Sequence, residues 1–261
     1  MPDKLIELST AQEIIYLWVA RMIFSSLEFL KTIPFKDVYI HATVLTLKGK
    51  RMAKSLGTGV DPLDLIDKYG ADATRFGIIY QLSREQQAIK FSEDTLKASR
   101  NFANKLWNIG RFINDYQTIK KSKDQKSLSL SDQWILSKLN RLVDSLTKKL
   151  ENYQLGEASR ELYEFIWHDF ADWYLEISKI EKTKSKSYIL NTCYLTLLKL
   201  LHPFMPFVTE EIWSRLNQSK ALIISEWPRA EKKLINPKVE KEFEKIRTEQ
   251  NIKEYLEKLH L

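Results

Sequence analysis

Residues 92–113 read SEDTLKASRNFANKLWNIGRFI. Small and apolar residues recur along this stretch at spacings of three and four, the spacing of one face of an α-helix. These residues are Leu96, Ser99, Ala103, Leu106, Gly110 and Ile113. Glu93 and Asp94 stand where a first helical turn favours acidic side chains. The stretch therefore predicts a long amphipathic helix.

The same periodicity continues through most of the remaining chain. It predicts helices near residues 132–153, 157–178, 188–201 and 206–216, joined by short links. Helices on short links pack as a bundle. The final segment, 229–261, is charged and predicted to be mostly helical, with a thin apolar stripe. The predicted fold class is mainly α.

The first ninety residues differ from this pattern. They mix helix with β-type runs at residues 38–41 and 43–47. We therefore predict a first domain over residues 1–90, a helical domain over 91–228, and a charged segment over 229–261.

The composition limits the kinds of partner and site. A net charge of +7 and a pI near 9.2 suit a surface that attracts polyanions, of which nucleic acid is the commonest, but ordinary solubility charge would give the same numbers. The single cysteine, Cys193, is predicted to be a small buried residue. The four histidines show no metal-ligand spacing, so no protein-bound metal is expected. No apolar run reaches membrane-spanning length and no signal peptide opens the chain, which predicts a cytoplasmic protein without a membrane partner.

A basic, glycine-rich stretch follows the second β-type run. Residues 49–59 read GKRMAKSLGTG, and Lys54 offers a compact charge suited to phosphate oxygens. Asp61, Pro62 and Gly70 fit the N-cap, first position and C-terminal stop of a short helix that comes next. A phosphate-binding loop and an ordinary exposed turn are both open on this evidence.

A polar stripe runs along the helix of residues 92–113. Its members recur at spacings of three and four and are offset from the apolar face: Lys97, Asn101, Asn104, Asn108 and Arg111. Asparagine is a poor helix former, but its amide both donates and accepts, as base edges and 2′-hydroxyls require. The stripe predicts nucleic-acid recognition, with amides that tie the helix to a neighbouring loop as the alternative.

Two lysine-rich links are also candidates for contact with a phosphate backbone. Residues 117–127 carry four lysines, and residues 179–187 carry further lysines that include Lys186. Both links are predicted to be solvated.

Residues 51–55, Arg-Met-Ala-Lys-Ser, resemble the Lys-Met-Ser-Lys-Ser signature of class I aminoacyl-tRNA synthetases. Blocks at residues 17–22, 34–41, 100–108, 167–176 and 202–213 resemble the valine-specific enzymes of that class. The resemblance implies the end of a Rossmann-type α/β catalytic core with its signature loop at 51–55, then an all-α anticodon-binding bundle. It also implies that residues 229–261 lead toward a C-terminal arm that the chain lacks.

The resemblance assigns roles to particular residues. It implies that Arg51, Met52, Lys54 and Ser55 bind ATP, with Lys54 acting in catalysis, although Ala53 departs from the signature. It places Ile14 and Trp18 in the valine pocket, with plain core packing as the alternative. For the stripe at Lys97, Asn101, Asn104, Asn108 and Arg111, it implies tRNA binding. At residues 9–13 the chain departs from the pattern that contacts the aminoacyl-adenylate.

The implied activity is part of the ATP-dependent attachment of valine to its tRNA, with valine, tRNA and ATP with Mg²⁺ as substrates of the complete enzyme. A His-x-Gly-His signature and an editing domain are both absent from the sequence. The chain is therefore expected to be a fragment, a split-enzyme piece that works with a separate chain carrying the N-terminal half of the site, or a degenerate paralogue. The isolated chain is expected to be inactive. A non-catalytic tRNA-binding paralogue and a helical bundle that binds proteins are the alternatives.

Overall fold

The computed structural model describes residues 7–52, 57–83, 88–116, 128–181, 183–216, 220–249 and 252–259. The chain is mainly helical, as predicted. It divides into two compact units: Met1–Val60 with Gln81–Ser92, and Asp61–Tyr80 with Glu93–Leu261. We call these the mixed unit and the helical unit. The domain limits at residues 90 and 228 remain predictions.

The mixed unit contains two pairs of short parallel strands. Strand β1 (Glu7–Thr10) pairs with β2 (Asp37–Ile40), and β3 (Thr43–Leu45) pairs with β4 (Ala88–Lys90). Both predicted β-type runs are thus strands. Parallel strands need a crossover connection. Between β1 and β2 it consists of a 3₁₀ turn (Gln12–Ile14), a π-helical turn (Ile15–Val19) and helix α1 (Ala20–Leu30).

The mixed unit leaves many large apolar side chains in solvent. Tyr16 is 86% exposed and Phe29 is 82% exposed, and most apolar residues of the connection between them are exposed as well. The buried apolar residues among those described in this unit are Val19, Phe35, Ile89 and Phe91. Parallel sheets are ordinarily covered on both faces, so this unit has a small core for its class of architecture.

The helical unit consists of helices that share one continuous core. Its helices are α2 (Pro62–Tyr69), α3 (Ala71–Tyr80), α4 (Glu93–Tyr116), α5 (Leu130–Glu151), α6 (Leu155–Glu164), α7 (Glu176–Ile180), α8 (Lys184–Leu201), α9 (Pro206–Arg215), α10 (Pro237–Glu249) and α11 (Ile252–Leu259). A π-helical segment, Phe165–Leu175, joins α6 to α7 without a break. The helices predicted from periodicity are all present.

Helices α2 and α3 pack with the helical unit. Phe76 is buried against Phe102 of α4, with ring centroids 5.2 Å apart, and Gly77 lets α3 approach Leu96 and Ser99 closely. The start of α2 matches the sequence prediction: the Asp61 side chain accepts a hydrogen bond from the backbone N–H of Leu63. Gly70 follows α2 with φ of 92°, a region that favours glycine.

Helix α9 begins on a side chain from α3. The Asp72 carboxylate accepts hydrogen bonds from the backbone N–H groups of Phe207 (3.2 Å) and Val208 (2.6 Å). Burial raises the pKa of Asp72, and these two hydrogen bonds oppose that rise. Asp72 thus satisfies helix N–H groups that no residue of α9 itself caps.

Lys186 contradicts the prediction for its link. Its side chain is 1% exposed, and its ammonium lies 2.7 Å from the Asp132 carboxylate and 2.6 Å from that of Glu181. It also donates to Ser131, while Tyr174 donates to Asp132. The prediction of a solvated phosphate contact is therefore wrong for Lys186, because burial with opposite charges holds it inside the bundle. Residues 117–127 and 182 lie outside the described ranges.

The structure also bears on the burial of Cys193, on membrane-spanning helices and on metal-ligand groups. Cys193 is fully buried, as predicted, and burial raises the pKa of its thiol. Among the described helices, none combines the length and apolar character needed to cross a membrane. Within the same ranges no three His, Cys, Asp or Glu side chains are grouped to hold a metal ion.

Candidate nucleic-acid interface

The described part of the signature region is a tight turn after β3. The backbone N–H of Gly49 donates to the Thr46 carbonyl (2.8 Å), and that of Lys50 donates to the Thr46 hydroxyl (3.1 Å). The guanidinium of Arg51 lies 3.1 Å from the Glu13 carboxylate, so the first cation of the loop is held beside the segment after β1. Met52 is half-buried. Lys54 and Ser55 lie outside the described residues.

Ile14 and Trp18 occupy successive turns in the connection after β1. Ile14 ends the 3₁₀ turn and is half-buried, while Trp18 lies in the π-helical turn and is 62% exposed. The roles of Ile14 and Trp18 remain predictions.

Helix α4 presents its two predicted faces as expected. The apolar face is buried except for half-buried Ala103. All five stripe residues are exposed: Lys97, Asn101, Asn104, Asn108 and Arg111. The three asparagine amides make no hydrogen bond to any residue that the structure describes. No described loop is therefore tied to α4 through them, and their donors and acceptors face outward.

The asparagines form one wall of a cleft in the helical unit. This cleft, which we call the asparagine cleft, has a volume of about 430 Å³. Its α4 wall carries the asparagines with Lys105, Ile109 and Phe112, and its opposite wall carries Asp172, Glu176 and Lys179, with Ala171 and Leu175.

Both lysines of the asparagine cleft are paired with carboxylates. The Lys105 ammonium lies 2.7 Å from Asp172 and 4.0 Å from the centre of the Trp167 ring. The Lys179 ammonium lies 2.6 Å from Glu176. Because these cations are already neutralised, the cleft offers amides and an aromatic edge more than net positive charge. Such a lining suits base edges better than phosphates.

The sequence did not identify the opposite wall. Asp172 and Glu176 lie within the block 167–176, which carried a resemblance without a role. Periodicity shows which face of one helix is polar, but the pairing of two helices across a cleft depends on tertiary packing. The available signal in the sequence was Lys105, which lies among the asparagines of α4 and could have indicated an acidic partner across the cleft.

Two family descriptions match the chain. Residues 6–92 match the tRNA synthetases class I (I, L, M and V), and residues 132–260 match the anticodon-binding domain of tRNA ligase. These matches place a class I synthetase segment ahead of an anticodon-binding domain, which confirms the predicted fold class.

Curated relatives agree. The chain is 45% identical to a valine–tRNA ligase of Clostridium tetani and 43% identical to one of Carboxydothermus hydrogenoformans, each over 92% of this chain and 28% of the relative. It thus spans under a third of the length of these relatives.

Solved structures share the fold. The Agrobacterium radiobacter LeuRS, in a ternary complex with tRNA and LeuAMS, aligns with a TM-score of 0.74 at 20% identity, over 88% of this chain and 29% of that one. Methionyl-tRNA synthetase of Mycobacterium tuberculosis aligns with a TM-score of 0.64 at 16% identity, over 81% of this chain and 43% of that one. The chain therefore belongs to the class I tRNA synthetases, and the curated relatives that it matches within them are valine–tRNA ligases.

Proposed function

We propose that this chain serves in a valine–tRNA ligase, which attaches valine to its tRNA at the expense of ATP. In this proposal the chain supplies the loop that stabilises ATP and the surface that binds the anticodon. The observation that carries the proposal is the asparagine stripe of α4, which is exposed, lines a cleft and has no amide partner among the described residues. A cytoplasmic location follows, because translation uses aminoacyl-tRNA there.

The stripe divides into residues that contact phosphates and residues that read bases. Lys97 and Arg111 carry exposed charges, so replacing both with alanine should weaken binding to all tRNAs and flatten its dependence on salt. Asn104→Ala or Asn108→Ala should instead reduce the difference in affinity between valine tRNA and other tRNAs, with little change in the salt dependence of binding.

Filter binding over a salt series tests this division. Lys241→Ala is a matched control, because Lys241 is exposed on α10, a helix that packs on α5. Unchanged affinity and selectivity in all the stripe variants would remove the stripe from tRNA recognition.

The proposed role of Lys54 is electrostatic. ATP enters with Mg²⁺ as substrate, and negative charge grows on the departing pyrophosphate as the valine carboxylate attacks the α-phosphorus. A lysine that stabilises this growing charge acts on the rate of activation more than on ground-state binding. Arg51, Met52 and Ser55 would help to hold the triphosphate.

Lys54→Ala tests that role in a protein with the complete catalytic core. The rate of valine-dependent exchange between pyrophosphate and ATP should fall more than the affinity for valine. An unchanged rate with weaker valine binding would contradict the assignment.

For the amino-acid pocket, we propose Ile14 and Trp18. A flat indole and a branched apolar side chain suit an isopropyl group, and such a pocket discriminates one methylene by about 1–3 kcal/mol. The exposure of Trp18 supports this role, because a pocket wall must be reachable by a ligand.

The exposed apolar side chains of α1 support a further part of the proposal. Phe24, Leu27 and Leu30 on α1 are all exposed. We propose that the remaining nucleotide-binding core, on the same polypeptide or on a separate chain, covers them. The 261-residue chain alone should then fail to catalyse pyrophosphate exchange, because it cannot align ATP and valine. Robust exchange by the purified chain would contradict this.

A non-catalytic tRNA-binding paralogue would share the tRNA binding but not the chemistry. The two are separated by adding the missing core. A valine–tRNA ligase should then activate valine, whereas a paralogue should bind tRNA without exchange.

A further inference from the structure

A second cleft lies along α4, beyond the asparagine stripe. It has a volume of about 590 Å³ and is lined by Trp107, Gly110, Arg111, Asn114, Ile212, Arg215 and Leu216. Its four α4 residues recur at spacings of three, one and three, which places them on one helix face. Arg111 belongs both to this cleft and to the stripe, whereas the asparagines line the first cleft. The exposed stripe therefore runs between two clefts of the helical unit.

Close approach of α9 to α4 builds the floor of this second cleft. A Cβ at Gly110 would lie 3.0 Å from Ile212 of α9 and 3.0 Å from the Tyr194 hydroxyl of α8. The Tyr194 hydroxyl also donates to the Leu106 carbonyl (2.6 Å). Because three helices meet at this point, the two arginines at the rim stand on rigid elements.

The two clefts differ in charge. In the asparagine cleft each lysine is paired with a carboxylate that lines the same cleft. The described lining of the second cleft contains two arginines and no acidic residue. Arg111 has no ion pair or hydrogen bond among the described residues. Within the described ranges, the second cleft thus keeps the unpaired charge of Arg111, while Arg215 is paired with Glu211, a residue outside the lining of the cleft.

Arg215 keeps donors that a bidentate ligand could use. Its guanidinium lies 4.9 Å from the centre of the Trp107 ring, and its ion pair with Glu211 uses Nε at 2.6 Å. A guanidinium has five donors, so this pair leaves the terminal amino groups for another acceptor. Planar forks of this kind match phosphate oxygens, and stacking on an indole fixes their plane.

We propose that the cleft of Trp107, Arg111 and Arg215 is a phosphate-binding site for the single-stranded RNA whose base enters the asparagine cleft. This inference rests on the proposed tRNA-binding function and assigns base recognition and backbone binding to different clefts. The asparagine cleft reads the base, and the arginine cleft holds the backbone of the same strand. Trp107 is a positioning residue that acts through Arg215.

The test measures binding of the anticodon stem-loop of a valine tRNA, and of a stem-loop with a different anticodon, over a salt series. Arg215→Ala combined with Arg111→Ala should weaken binding of both RNAs about tenfold or more. For every phosphate that the variant no longer neutralises, the magnitude of the log–log salt slope should fall by about 0.7. Arg215→Lys should keep the slope but lose part of the affinity, because it retains charge without the stacked fork. Lys241→Ala is the control for bulk charge.

A double-mutant cycle tests the positioning role of Trp107. Trp107→Leu should weaken binding in wild-type protein but have little further effect in Arg215→Ala protein. Additive losses would overturn that role. Circular dichroism of each variant shows that the helices remain folded.

Several outcomes would overturn the proposal and leave the proposed function standing. One such outcome is that the Arg111 and Arg215 variants bind RNA with wild-type affinity and salt dependence, while Asn104→Ala still reduces selectivity. Another is an equal loss in Lys241→Ala, which would indicate bulk charge. If the arginine variants change selectivity without changing the salt slope, the second cleft contacts a base and not the phosphate backbone. If the wild-type chain binds neither RNA, the proposed function fails and this inference fails with it.

Discussion

The mixed unit and the helical unit use similar kinds of apolar side chain to different effect. In the helical unit, Trp134 is fully buried and stacks on Phe243 with ring centroids 4.2 Å apart. In the mixed unit, Trp18 is 62% exposed. Charged groups differ in the same way: Lys186 is buried between carboxylates, whereas Arg51 pairs with Glu13 at the surface. Trp134 and Lys186 are thus buried structural elements of the helical unit, whereas Trp18 and Arg51 are accessible groups of the mixed unit.

This difference indicates how the two units relate to function. The helical unit buries most of its large apolar residues in one core, and the ligand-binding groups proposed for it are mainly polar side chains on rigid helices. The mixed unit keeps apolar groups available for contacts of its own, which suits the proposed pocket and the proposed cover. Substitutions at matched residues of the two units should therefore differ in their effect on stability.

The largest difference in stability is expected between substitutions of Trp134 in the helical unit and of Trp18 in the mixed unit. Trp134→Ala should destabilise the helical unit by about 3–5 kcal/mol, because it leaves a cavity in a packed core. Trp18→Ala should change the free energy of unfolding by less than about 0.5 kcal/mol, as at an ordinary surface position. Urea unfolding followed by circular dichroism measures both.

Trp134→Phe provides the control for this comparison. The indole N–H of Trp134 is buried without a hydrogen-bond partner among the described residues, so phenylalanine keeps the stacking and removes an unsatisfied donor. Trp134→Phe should lower the free energy of unfolding clearly less than Trp134→Ala does. Equal costs for Trp134→Ala and Trp18→Ala would break the comparison between the units.

The paired cations should show the next largest contrast. Lys186→Ala leaves Asp132 buried without its ammonium partner, and the expected loss is about 3 kcal/mol or more. Arg51→Ala removes an exposed ion pair and should cost at most about 1 kcal/mol. Thermal unfolding of the two variants at low and high salt checks this. A loss in Lys186→Ala that high salt removes would show that the pair is solvated.

A smaller effect is expected at Asp72. The helical unit fixes the start of α9 through this carboxylate, whereas α1 of the mixed unit has no side-chain cap. Asp72→Ala should lower the free energy of unfolding by about 0.5–2 kcal/mol, the usual range for removal of an N-terminal cap. Asp72→Asn retains an acceptor oxygen and should cost less. Identical unfolding curves for wild type and Asp72→Ala would show that α9 does not depend on this contact.

The smallest effect concerns pH. Burial lowers the pKa of His202 below its ordinary value of 6.5, with Glu210 and Asp72 opposing the shift. The folded state therefore favours the neutral ring. Its stabilising contribution is complete above pH 6.5 and is lost as pH falls through the lowered pKa. His202→Gln should remove this part of the acid sensitivity. Equilibrium unfolding at a series of pH values measures it, and an unchanged pH profile would contradict it.

Periodicity was enough to predict the helices and the two faces of α4. Leu96, Leu106 and Ile113 are buried, and Lys97, Asn104 and Asn108 are exposed, because a helix converts residue spacing directly into direction. The Cys193 and Asp61 predictions hold for similarly local reasons. Lys186 was assigned wrongly, since no local rule shows that a lysine in a polar link will meet two carboxylates.

The sequence by itself determined the local structure and, through its resemblance to class I synthetases, the family. Helix periods, caps and the signature residues act over a few positions, so they can be read along the chain. Only the tertiary structure decided that α2 and α3 pack with the helical unit and that α4 is flanked by two clefts. It also decided that both lysines of one cleft pair with carboxylates of the same lining, whereas Arg111 of the other cleft has no such partner among the described residues. These features depend on residues far apart in sequence, such as Lys105 with Asp172 and Trp107 with Arg215, whose contact is set by how helices pack.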